Sequence, residues 1–431
     1  RVLLLNKPKG DKYLYIFSLL ILLELFVNTG YFIKFGAYEL LYSEFVLIIL
    51  ILFSLSLLIH RPINKKLLFC GLMFLGAIII TELMLIINPL EEPILRNNEF
   101  IVPEFSLYSL MIASRYLLFI VVALAAKSVF GKEKVINVVG LMQNYSIFFI
   151  SLLYIEWILN NVLKVDYFRR VVSFIFGKGA YTVDALLTRG SLHSIQGFMR
   201  EPAHLSEGLF YFLLIVILAG LDKRKTHRLI LMSAPLILLS GSFSGILYLI
   251  ALFVIYMAKN KITSVYTIGV LILILISLPF LFSSDLFQYY YTRLMNSFRI
   301  LTNSQTSTTI SSEAVRLNTV IYTFDAFLKR PLFGLGIGIP YSYGFLSGLL
   351  ASIGSIGSTL WMLFVFKIFG NLRINIRTIF IIVAMIVVWN FTGNISVSYS
   401  VFILLIAVLI DGNYLAENNK LWSVKFETVI F

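Results

Sequence analysis

Charge, cysteine and histidine are all scarce in this sequence of 431 residues: charged side chains make up 13% of it, with one cysteine and four histidines. So little charge, beside 59% hydrophobic residues and a mean hydropathy of +0.92, excludes a soluble enzyme of this size. The lone Cys70 sits in an apolar run, offers no intrachain disulfide or zinc-ligand spacing, and reads as lipid-side or core packing. There is no HExxH and no DxD pair to hold a divalent metal with a nucleotide sugar, so no metal site is expected. Gly334-Leu335-Gly336-Ile337-Gly338 lacks the strand-turn-helix context and third-glycine spacing of a dinucleotide fingerprint. Alternating ten-residue segments are also missing, which excludes an outer-membrane barrel. The first apolar run has no small-residue cleavage site, so the chain from Arg1 reads as a mature or trimmed N-terminus without a signal peptide.

What is present is a series of long Leu/Ile/Phe-rich runs. With roughly 20 apolar residues per crossing, this length accommodates about a dozen spans, far more than a single-pass receptor. The expected fold is therefore all-α: one polytopic membrane domain over 1–431, a bundle of about twelve transmembrane helices with two long outward loops carrying short helices. Lys and Arg exceed Asp and Glu by 35 to 22, and the excess is one-sided. The basic N-terminus and the connectors 60–66, 127–134 and 222–228 fall inside, which places helices at 13–33, 40–59, 67–88, 107–126, 135–160 and 205–221. The outside connectors carry only Lys34 and Arg96 as bases, and 88–104 carries Glu91, Glu92, Glu99 and Glu104. The runs 229–257 and 378–410 are each read as a tight pair of short helices, broken by Pro235 with Ser240–Gly245 and by Thr392-Gly393-Asn394. Single helices at 264–282 and 349–369 then return both termini inside.

Two long outside segments remain, 161–204 and 283–348, and they are where chemistry is expected. In the first, Phe168, Val171, Val172, Ile175 and Phe176 recur at helical spacing beside Arg169 and Arg170, as in a helix lying on a membrane. In the second, a Ser/Thr-rich stretch over 302–312 precedes a helix pattern that Pro331 ends. Guanidinium groups at an outer membrane surface suit a phosphorylated, lipid-borne ligand or plain headgroup contact. Arg169 and Arg170 fit either; Arg200 and Arg316 adjoin polar helix starts and favour the ligand.

Gly197 to Glu207 is the most informative stretch. Pro202 suits a first helical turn, so unpaired backbone donors and Arg200 can face an anion. Glu201 and His204 lie three apart, and Arg200 and His204 four apart, so the three side chains can converge. Glu201 is placed to take a proton from a hydroxyl, or alternatively to pair with Arg200 or Arg189. His193, close to Arg189 and Gln196, can approach the same place, whereas His60 and His227 read as surface residues of inside connectors. Glu24, Glu44, Glu82, Glu156 and Arg115 fall inside spans, where charge is expensive. Snorkelling accounts for Glu44 and Glu156; Arg115 with Glu24 or Glu82 forms a structural ion pair or part of an outward pocket.

On these residues the chain resembles the Wzy-type polymerases of O-antigen and capsular polysaccharide, within the O-antigen-ligase-like group of membrane glycosyltransferases. Gly197 to Glu207 is similar to that family's Gly-Phe-x-x-Glu-Pro entrance to a helix, Ser240 to Leu247 to its Ser/Gly-rich helix break, and Arg316 to Gly338 to its arginine-bearing outer helix followed by Pro-Leu-x-Gly-x-Gly. Phe243 stands where many relatives have arginine, and the long loops lack the arginine, ten residues, glycine spacing. The resemblance implies a metal-independent, cofactor-free transfer at the outer face of the bacterial cytoplasmic membrane. A glycan on undecaprenyl pyrophosphate would move onto a second lipid-linked repeat unit, among membrane lipids and with a chain-length regulator protein as partner and no nucleic acid. Arg316 and Arg200 would clamp the donor pyrophosphate, Glu201 would activate the acceptor hydroxyl, and His204 or Tyr343 would orient sugar or base. Arg189, His193, Arg293, Arg299 and Arg115 would complete the substrate contacts. A related ligase and a lipid-linked oligosaccharide flippase are the alternatives.

Overall fold

The computed structural model of the chain describes residues 12–260 and 312–369, apart from 29–30, 36–37, 60–62, 97–98, 130–131, 178–187, 190–191, 221–222, 341 and 343, together with Gln288, Tyr291, Thr292, Met295 and Val383. The helices expected at 264–282 and, apart from Val383, at 378–410 lie outside the described residues. Most of what is described is helical. The helices are α1 (Lys12–Phe26), α2 (Tyr42–Ile59), α3 (Lys65–Ile87), α4 (Leu107–Val129), α5 (Lys132–Trp157, continued by a π-helical turn, Ile158–Val162), α6 (Tyr167–Phe176), α7 (Pro202–Ala219), α8 (Lys223–Leu239), α9 (Phe243–Asn260), α10 (Ser312–Lys329) and α11 (Phe345–Phe369).

Among the described residues, four helical stretches are long and apolar enough to cross a membrane: Lys65–Ile87, Asn137–Val162, Pro202–Ala219 and Phe345–Ile368. This is the character of an all-α membrane protein. Helix α3 shows why. Asn64 caps it by accepting from the Leu67 amide at 3.1 Å, and 23 residues at about 1.5 Å each span the roughly 30 Å hydrocarbon layer. Phe74, Ile78 and Leu85 are buried, while Phe69, Leu72, Ile79 and Ile87 are exposed, a face that water would penalise and lipid would not. Helix α7 is the opposite case. It is buried along nearly its whole length, so it is the central helix, and Gly208 lets the Leu25 carbonyl of α1 approach to where a Cβ would stand 2.9 Å from it. One continuous core draws side chains from α1, α3, α4, α5, α7, α8, α9 and α11.

Small sheet pieces occupy the connectors. β1 (Val27–Asn28) pairs in parallel with β8 (Phe198–Met199), β2 (Tyr31–Phe35) with β3 (Tyr38–Leu41), β4 (Ile94–Arg96) with β5 (Glu99–Ile101), and β6 (Thr188–Arg189) with β7 (Leu192–His193). They correct the expected helix bounds: α1 stops at Phe26, not at 33, because its apolar continuation Tyr31 to Phe35 satisfies its backbone in a hairpin. The run 229–257 does divide in two, but only at Ser240–Ser242; Pro235 lies inside α8. There the Tyr154 hydroxyl donates to the Met232 carbonyl at 2.7 Å, serving the backbone one turn before the proline. A further break appears where a continuous helix was expected, in α11 at Gly354, which has φ 66°.

Candidate active site

One cluster of polar residues gathers where α5 ends, α7 begins and α8 passes into α9. Segment 192–201 folds back into this place and is held from three directions. From α5, the carboxylate of Glu156, 2% exposed, accepts the Gln196 amide at 3.1 Å on one oxygen and the Gly197 amide at 2.8 Å on the other. From the π-helical turn, Asn161 donates to the His193 carbonyl at 3.0 Å and accepts the His193 amide at 2.7 Å. From α8, the Leu239 carbonyl at the helix break accepts the Ile195 amide at 3.3 Å. Gly197 has φ 58°, and a Cβ there would lie 2.5 Å from the Leu153 Cδ2, so the turn needs glycine. These contacts correct the snorkelling assignment of Glu156: its partners are backbone amides inside the protein. Arg169 is likewise turned inward, 5% exposed and facing Glu156 electrostatically, while its neighbour Arg170 stays exposed. The cause is α6, whose inward face carries Phe168, Arg169 and Val172.

Beyond this turn the chain enters α7. Glu201 is the N-cap residue in extended conformation, and its carboxylate makes no capping hydrogen bond, so it does not serve the helix it introduces. Pro202 follows in the first turn. His204, with about a third of its side chain accessible (36%), places Nδ1 3.9 Å from Glu207 Oε2 and is also faced by Glu201 and Arg200. Arg200, Glu201 and His204 are each half-buried, and Glu207 is buried beneath them. The floor is hydroxyl-rich: Ser206 packs near Gly245, and Ser242 and Ser244 share a 2.7 Å hydrogen bond at the start of α9. Chemically the cluster joins a carboxylate, an imidazole and a guanidinium at the positive end of a helix dipole. The spacing of His204 and Glu207, three apart on one helix face, was the signal for Glu207; it received no role from sequence.

A second polar centre forms around 331–344. Gly336 and Leu335 donate their amides to the Ser352 and Ala351 carbonyls at 3.0 and 2.8 Å, and Ser355 and Ile356 donate back to Pro331 and Leu332 at 2.8 and 3.2 Å. The Gly354 break in α11 is thus filled by the glycine-rich segment, which is how irregular backbone survives inside a bundle. Glu82 of α3 accepts the Ile337 amide at 2.7 Å, and Thr81 donates to the Phe333 carbonyl at 2.7 Å. Where α10 ends, the Arg330 guanidinium donates to the Asn88 carbonyl, and Lys329 pairs with Glu92 at 3.0 Å.

Of the residues expected to act, the structure gathers Arg200, Glu201 and His204, with His193 tied to Asn161 nearby. Arg316 stands in the first turns of α10, a helix that lies against α11 and β4; Arg189 is in β6 and Arg115 in α4. The side chains of these three, and Arg293, Arg299 and Tyr343 entirely, lie outside the described residues, as does the Glu44 side chain. His227 is no simple surface residue, since its ring hydrogen-bonds the Tyr256 hydroxyl. Among the described residues no group of three His, Cys, Asp or Glu side chains gathers to hold a metal ion. The fold and cluster define a mainly helical membrane protein with a polar centre at one end of its bundle. No family model matches the chain, and no curated protein matches it.

Proposed function

We propose that the protein is a Wzy-type polysaccharide polymerase, joining oligosaccharide repeat units carried on undecaprenyl pyrophosphate at the outer face of the bacterial cytoplasmic membrane. The observation that carries the reading is the convergence of Arg200, Glu201 and His204 at the uncapped start of α7. In this reading about twelve helices cross the membrane, both termini are cytoplasmic, and the α7 entrance faces outward. The Glu201 carboxylate removes the proton from an acceptor sugar hydroxyl, whose oxygen bonds to the anomeric carbon of the donor glycan. The bond from that carbon to the pyrophosphate oxygen breaks, and polyprenyl pyrophosphate leaves with its new charge on Arg200 and Arg316. His204 orients the acceptor or the base.

The test is replacement of Glu201 and, separately, Arg316 by alanine in the producing cell. Each variant should remain folded in the membrane and leave single repeat units where wild type makes long polymer. Full-length polymer from both variants would sink the reading.

A further inference from the structure

The two irregular segments are fastened by the same device. In each, a carboxylate near the C-terminal end of a long apolar helix is buried and spent on backbone amides of a distant stretch of chain. Glu156 of α5 serves Gln196 and Gly197, forty residues on; Glu82 of α3 serves Ile337, 255 residues on. Burying a carboxylate costs free energy that such bonds, with Arg169 facing Glu156, help to offset, so neither is an incidental contact. Both segments also hydrogen-bond into a helix break, 192–199 at Leu239 and 331–337 at 351–356.

We propose that Glu156 and Glu82 are positioning residues that pin the two re-entrant segments, Glu156 setting the turn that delivers Arg200 and Glu201, and Glu82 setting the glycine-rich turn that follows α10. For its effect on catalysis this rests on the polymerase reading; the pinning itself does not. The two pins differ in a way that can be tested. Both oxygens of Glu156 accept an amide, so glutamine there would turn an NH2 group toward a backbone N–H. Only Oε1 of Glu82 is engaged, while Oε2 is buried without a partner among the described residues, so glutamine can keep its carbonyl on Ile337 and leave its NH2 unopposed.

The experiment is hydrogen–deuterium exchange of the full chain purified in detergent, comparing E156Q, E156A, E82Q and E82A with wild type. Exchange over 194–199 should accelerate about tenfold or more in both Glu156 variants, and exchange over 335–339 by as much in E82A, while E82Q stays within about twofold of wild type. Wild-type exchange in E156Q, equal loosening by E82Q and E82A, or loosening of both segments by every variant would each overturn the proposal. A second readout uses lipid-linked repeat units: E156Q should lower kcat at least about tenfold through the displaced Glu201, with a smaller rise in KM for the donor through the displaced Arg200. Wild-type turnover by E156Q would refute the positioning role. Absence of polymer from the wild-type protein would instead strike the polymerase reading and leave the exchange result to decide the pinning.

Discussion

The segments 192–201 and 331–344 solve one problem, irregular backbone inside a helical bundle, by different means. The first is held chiefly by side chains: two oxygens of Glu156 and the amide group of Asn161 take four backbone groups between them. The second is held chiefly by backbone, four hydrogen bonds exchanged with the broken helix α11, with Glu82 and Thr81 adding one each. The difference teaches where each can tolerate change. A side-chain clasp leaves the polar side chains that follow it, Glu201 and His204, half-buried and partly accessible, whereas a backbone clasp needs glycines where two main chains touch.

Substitutions at those touching points should separate the two. Gly354→Ala carries the largest expected effect: its Cβ would meet the Leu332 carbonyl at 2.2 Å with φ 66°, and main chain cannot yield. It should cost about 4 kcal/mol or more, seen as loss of monodisperse protein or a collapsed Tm in detergent. Asn161→Ala comes next, at about 2 kcal/mol, because it strips partners from both the amide and the carbonyl of His193; a thermal melt reads it. Gly197→Ala should cost about 1–2 kcal/mol, less than Gly354→Ala despite a similar φ of 58°, because its clash is with the movable end of Leu153. Gly177→Ala, at φ 76° and ψ −162° with nothing within 4 Å, isolates the conformational cost of a backbone region that only glycine enters readily, at about 1–3 kcal/mol. Equal destabilisation by Gly197→Ala and Gly354→Ala would erase the distinction between the clasps.

The entrance to α7 was legible because its signals are local: Gly197 for the turn, Pro202 for the first helical turn, and Glu201 and His204 one turn apart. The break at Ser240–Ser242 was legible for the same reason. The roles of Glu156 and Glu82 were not, since their partners are amides far along the chain and carry no side-chain signature. The break at Gly354 was hidden because Ser352, Gly354 and Ser355 read as small residues on a helix, and only the docked main chain of 331–336 makes a positive φ necessary there. Tyr31 to Ile33 misled in the other direction: a short apolar run belongs equally to a membrane helix and to a β-hairpin, and length alone did not separate them.

The reaction of purified protein with synthetic polyprenyl-pyrophosphate repeat units bears most directly on the α7 entrance as a catalytic centre. Wild type should convert them to a ladder of products differing by one unit, with release of polyprenyl pyrophosphate, and Glu201→Ala at equal folded concentration should give none. No ladder from wild type, or an equal ladder from the variant, would contradict the account.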